Sequence, residues 1–135
     1  MKKQLIGFFI LLVLISCSGG SELNNAKKLI GEKKFYEAIS VLEGIEKKDG
    51  NVYFALAEAY SGLRKFVIAD SFFNVALEEK PALKNDVVKA YASIAMTDFL
   101  KGYTFSAINY WQKILDLNPS YDINIGFYYL GKYNY

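Results

Sequence analysis

The sequence predicts an all-α fold: about three helical-hairpin repeats followed by a C-terminal capping helix. Three observations carry this. From Ser21 onward, apolar residues recur at helical spacing and helix breakers are scarce. The chain has only two prolines, Pro81 and Pro119, and each follows an apolar-periodic segment, where proline ends helices. Aligned on those prolines, two segments place their alanines and aromatics at the same intervals, which is the mark of an internal repeat.

The N-terminal segment reads differently. Met1-Lys2-Lys3 is basic, and an apolar run over 5–15 follows, broken only by Gly7. That run is shorter than the roughly 20 residues needed to span a bilayer. A charged start, a short apolar centre and then small residues predict an export signal over 1–16. The sole cysteine, Cys17, comes next, so no intramolecular disulfide is possible. Leu14-Ile15-Ser16-Cys17 resembles the lipobox of bacterial lipoprotein precursors. The resemblance implies a diacylglyceryl thioether on Cys17 and cleavage before it. Buried acyl methylenes contribute about 0.8 kcal/mol each, so two or more chains anchor stably. Ser18-Gly19-Gly20-Ser21 predicts a flexible tether, with residues 17–21 linking lipid to fold. Ser18 stands where the enteric sorting rule reads an inner-membrane aspartate, which implies the outer membrane, facing the periplasm.

The repeat domain is expected over 22–135. Its first copy is the weakest: Ala26, Leu29, Phe35, Ala38, Leu42 and Ile45 fit, but Glu22 holds the first aromatic position and Lys48-Asp49-Gly50 replaces a proline turn. The second copy runs Tyr53, Leu56, Ala57, Tyr60, Phe66, Ala69, Phe73, Ala76, Leu77, Pro81. The third runs Tyr91, Ile94, Ala95, Gly102, Tyr103, Ala107, Trp111, Ile114, Leu115, Pro119. In both, the first aromatic lies 16 residues before the key alanine and the proline 12 after it. The key alanines Ala38, Ala69 and Ala107 are 31 and then 38 apart, so about four extra residues are expected near 82–86. Small residues are required where paired helices cross closely: Ala57 with Ala69, and Ala95 with Ala107. A fourth copy begins at Phe127, Leu130 and Gly131 and would supply the cap.

This spacing resembles the tetratricopeptide repeat, whose pattern is W-x2-L-G-x2-Y, A-x3-F, P. The resemblance implies a concave groove lined by the first helix of each pair. On this chain the groove residues are Lys27, Ile30, Phe54, Glu58, Lys89, Met96 and Phe99. Phe54, Met96 and Phe99 make its centre apolar, suited to an amphipathic partner helix, to which Met96 adapts. The subclass that clamps a C-terminal carboxylate needs basic and asparagine side chains where this chain has Leu23, Lys27, Phe54 and Glu58, so a clamp is not expected. Tyr121, Tyr128, Tyr129, Tyr133 and Tyr135 crowd the C-terminus. They fit either a second binding surface or the codon usage of an AT-rich gene.

Composition excludes several classes. The chain has 16 basic and 14 acidic residues, and removal of Lys2 and Lys3 balances them, so nothing favours nucleic acid. With no histidine and the one cysteine lipidated, Ser-His, Cys-His and histidine-metal chemistry are absent. No enzyme activity, metal or cofactor is expected. A lipoprotein of tetratricopeptide repeats is similar to the BamD-type subunits of the outer-membrane β-barrel assembly machine. In these, the second helix of the first repeat opens with an aromatic-x-x-Ala pattern, as in Phe35-Tyr36-Glu37-Ala38. Members usually carry about five repeats, against about three and a cap here. The resemblance implies a protein-interaction scaffold whose partners are the barrel subunit or its substrates. The alternative is an adaptor or pilotin lipoprotein for a secretin, pilus or other envelope complex.

Overall fold

The computed structural model describes residues 18–124, 126 and 131. They form six α-helices, with no strand among the described residues: α1 (Ser18–Gly31), α2 (Phe35–Glu43), α3 (Gly50–Gly62), α4 (Phe66–Glu79), α5 (Lys84–Leu100) and α6 (Thr104–Leu117). The helices pack as successive hairpins, α1 on α2, α3 on α4 and α5 on α6. The fold is therefore the all-α, paired-helix class that the spacing predicts. The chain divides after Lys80 into two compact units. The first holds α1 to α4. The second holds a short 3-10 turn (Pro81–Leu83), α5 and α6.

The three hairpins share one turn, atom for atom in the backbone. The Lys33 N–H donates to the Ile30 carbonyl at 2.9 Å and the Lys34 N–H to the Leu29 carbonyl at 2.9 Å. Arg64 and Lys65 repeat this onto Ser61 and Tyr60, both at 2.9 Å, and Gly102 and Tyr103 onto Phe99 and Asp98 at 3.0 and 2.8 Å. These crossed bonds satisfy the last carbonyls of each first helix, and they require a left-handed residue between them. Lys33, Arg64 and Gly102 are that residue, at φ 60°, 57° and 81°. Each lies five positions before a key alanine. Ala38, Ala69 and Ala107 then make the first bond of the second helix, their N–H groups reaching Lys34, Lys65 and Tyr103 at 3.0, 3.0 and 3.1 Å.

The prolines also act alike. Lys80 stops α4 at φ −144°, ψ 85°, and Asn118 stops α6 at φ −142°, ψ 88°. The ring of a following proline excludes the helical conformation from the residue before it. The first hairpin has no proline and ends by other means. The Lys48 ammonium donates to the Glu43 and Ile45 carbonyls at 3.0 and 2.6 Å. The Asp49 carboxylate then caps α3, accepting from the Asn51 and Val52 N–H groups, both at 3.0 Å. The extra residues near 82–86 become the 3-10 turn and one more turn of helix. α3 starts three residues before Tyr53, whereas α5 starts seven before Tyr91.

Alanine and aromatic residues fill the interior as their spacing requires. Ala57, Ala69, Ala95 and Ala107 are all fully buried. In the first unit Ala26, Ala38, Leu42, Val52, Ala55, Leu56 and Ala59 form one buried cluster, flanked by Leu23, Leu29, Ile30 and Tyr53. Phe73 is fully buried beside them in α4. In the second unit Val87, Tyr91, Tyr110, Trp111 and Ile114 are buried. Each large aliphatic or aromatic side chain so buried stabilises the fold by about 1.5–3 kcal/mol before entropy is counted.

One expectation is corrected. The Ser18–Ser21 stretch, expected as a tether, is the opening of α1, which begins at Ser18. The export signal and Cys17 lie outside the described residues, as does most of the capping helix. Asn124, Gly126 and Gly131 are helical.

Candidate partner-binding face

The expected groove residues all fall on first helices: Lys27 and Ile30 on α1, Phe54 and Glu58 on α3, Lys89, Met96 and Phe99 on α5. Two sets result, one in each unit. In the first unit Lys27 is exposed. Ile30 is half-buried and packs on the buried cluster. Phe54 is half-buried, its ring meeting Phe73 edge-to-face at 5.6 Å and 63°. Glu58 is half-buried beside it in sequence register.

In the second unit Lys89 and Met96 are exposed, Met96 at 43%. Phe99 is half-buried and tilts against Trp111, centroids 5.6 Å apart. Such ring pairs contribute about 0.5–1.5 kcal/mol beyond area burial. Phe54 and Phe99 thus have a structural use within the chain itself. Each seals its own hairpin with one side of the ring. Met96 alone of the four apolar groove residues is exposed; Ile30, Phe54 and Phe99 are half-buried.

Met96 also opens onto a cavity of about 250 Å³ within the second unit. Trp111, Ile114, Tyr121, Asp122 and Ile123 line it with Met96. Of the C-terminal tyrosines, Tyr121 is half-buried here. Tyr128, Tyr129, Tyr133 and Tyr135 lie outside the described residues. Residues 121–124 therefore lie beside Met96 of the expected groove. Spacing alone gave no signal of this.

Asp98 was not singled out by the sequence. It is the one fully buried acid among the described residues and accepts a hydrogen bond from the Ser106 hydroxyl, tying α5 to α6. Its place in the repeat, nine before the key alanine, is held by Tyr60 in α3 and Leu29 in α1.

Chemically the face offers apolar contact and a few charges. No group of three or more His, Cys, Asp or Glu side chains is arranged to hold a metal ion among the described residues. No described helix is long and apolar enough to cross a membrane. In comparisons with known proteins, the chain matches no protein family, no curated protein and no solved structure.

Proposed function

We propose that this chain is a lipid-anchored, tetratricopeptide-like interaction scaffold of the bacterial cell envelope, serving β-barrel protein assembly at the outer membrane. The observation that carries the reading is the threefold recurrence of one hairpin, down to the left-handed residue five before each alanine. Stacked hairpins of this kind bury a core between neighbours and leave first-helix faces for ligands. The Leu14–Cys17 motif supports the anchor. Met96 and its cavity are the place to seek a partner's apolar side chain.

The test has two arms. Cys17→Ala abolishes fatty-acid labelling and membrane retention through a high-salt wash; persistent labelling sinks the anchor. Met96→Glu, at an exposed position, leaves the melting temperature within about 2 °C while removing a cross-linked partner, since exposed substitutions change stability by under about 0.5 kcal/mol. An unchanged cross-linking pattern moves the binding surface elsewhere. Depletion separates the scaffold from an adaptor or pilotin. The first lowers many outer-membrane proteins together, the second a single envelope system.

A further inference from the structure

The turns of the first unit carry a second surface, unrelated to the groove. In every hairpin the residue two before the key alanine is bulky and exposed: Tyr36 at 68%, Val67 at 83% and, in the second unit, Phe105 at 75%. Within the first unit the two turns lie side by side. A Cβ on Gly62 would stand 2.3 Å from the Phe35 ring, so only glycine lets that ring lie across the α3 end. The Lys65 ammonium sits 5.7 Å from the Tyr36 ring centroid. Tyr36 and Lys65 thus meet across the two turns, and the exposed Val67 and Ile68 follow Lys65 in the first turn of α4.

This turn edge is at the basic end of the unit. Lys27, Lys28, Lys33, Lys34, Arg64 and Lys65 occupy the turn-proximal half, against Glu32, Glu37, Glu58 and Asp70. Glu32 is already engaged by Lys34 at 3.0 Å. The opposite end reverses the balance, with Glu22, Glu43, Glu46, Asp49, Glu78 and Glu79 against Lys47, Lys48 and Lys80. α1 begins at Ser18, directly after Cys17, and its 14 residues end at the turn. At 1.5 Å per residue the basic edge is about 21 Å along α1 from the anchor. On the proposed anchor, a bilayer holding Cys17 lies toward the start of α1, at the acidic end of the unit.

We infer that this edge docks a protein segment that is both acidic and apolar, with carboxylates facing Lys33 and Lys65 and apolar side chains covering Tyr36 and Val67. Charge complementarity selects the acidic sequence, and aromatic and aliphatic side chains supply the contact area. The choice of protein over lipid rests on the proposed anchor; the patch itself does not.

The test uses the full chain in phosphatidylcholine nanodiscs and a short fluorescein-labelled peptide of alternating Glu and Leu. Its counterpart with Lys for Glu is the control. The acidic peptide binds and the basic one does not, and Lys65→Glu with Val67→Ser weakens binding about tenfold or more, as loss of a central contact does. Tyr36→Ser, at a separate exposed position, weakens it in the same direction. Equal binding of both peptides overturns the inference, as does binding that survives these variants. Loss in Met96→Glu with the edge variants unaffected places the peptide in the groove and overturns it too. Loss of binding in nanodiscs containing phosphatidylglycerol assigns the edge to lipid. A dimer dissociated by the edge variants assigns it to a second copy. If Cys17 takes no fatty-acid label while binding still needs Lys65 and Val67, the anchor fails and the edge stands.

Discussion

Tyr60 in α3 and Asp98 in α5 occupy the same place in their repeats, and the backbone treats them identically. Each carbonyl accepts the outer of the two crossed turn bonds, the one from five residues on: Tyr60 from Lys65 at 2.9 Å and Asp98 from Tyr103 at 2.8 Å. Their side chains go different ways. The Tyr60 hydroxyl donates to the Glu43 carboxylate at 3.1 Å, joining its hairpin to the previous one near the surface. Asp98 is wholly buried and turns inward to Ser106, within its own hairpin. The repeat fixes backbone geometry and the small residues at helix crossings. Beyond those, a position is free to serve the joint between hairpins or the interior of one.

The largest way to break the comparison is at the shared positions. Ala69→Leu and Ala107→Leu force extra methylenes into fully buried crossings and should each cost about 1–3 kcal/mol in urea titrations. Equal losses in both units support one template. An unchanged midpoint in either places the register wrongly.

The positions that differ should respond unequally. Ser106→Ala takes a hydrogen bond from a buried carboxylate and should cost about 1–3 kcal/mol. Tyr60→Phe removes a bond near the surface and should cost about 1 kcal/mol or less. Tyr60 adds a pH signature. Burial, then the hydrogen bond to Glu43 and that group's charge, hold its hydroxyl above the usual tyrosine range. A raised folded value contributes stability below about pH 10, the ordinary tyrosine value, and loses it as pH climbs through the folded value. The fall in melting temperature at high pH should therefore be shallower in Tyr60→Phe than in the parent chain.

Much of the fold was legible because it depends on residues with few alternatives. Pro81 and Pro119 forbid helix at the preceding residue, and Ala69 and Ala107 leave room for a crossing helix; both effects act locally and survive sequence drift. Asp98 was not legible, since an acid in an amphipathic helix ordinarily faces water and only Ser106, eight residues on, reveals that it does not. Phe54 and Phe99 lie at groove positions in register, but Phe73 and Trp111 turn out to be within reach of their rings. Ser18-Gly19-Gly20-Ser21 has tether composition, yet it continues into the helical run of α1. Composition describes a segment by itself and carries no word of the helix that follows it.

The smallest effect is the most direct test of the shared turn, because the same position should give opposite signs. Lys33 and Arg64 hold the left-handed conformation with a Cβ, at a cost of roughly 1–2 kcal/mol each; Gly102 holds it without one. Glycine's greater freedom in the unfolded chain offsets about 0.4–1 kcal/mol of that. Lys33→Gly and Arg64→Gly should therefore raise stability by up to about 1 kcal/mol, and Gly102→Ala should lower it by a similar amount. Chemical denaturation of the three variants beside the parent chain reads all three signs. Stabilisation by Gly102→Ala, the usual result where φ is negative, or destabilisation by both glycine variants, would contradict a single turn repeated three times.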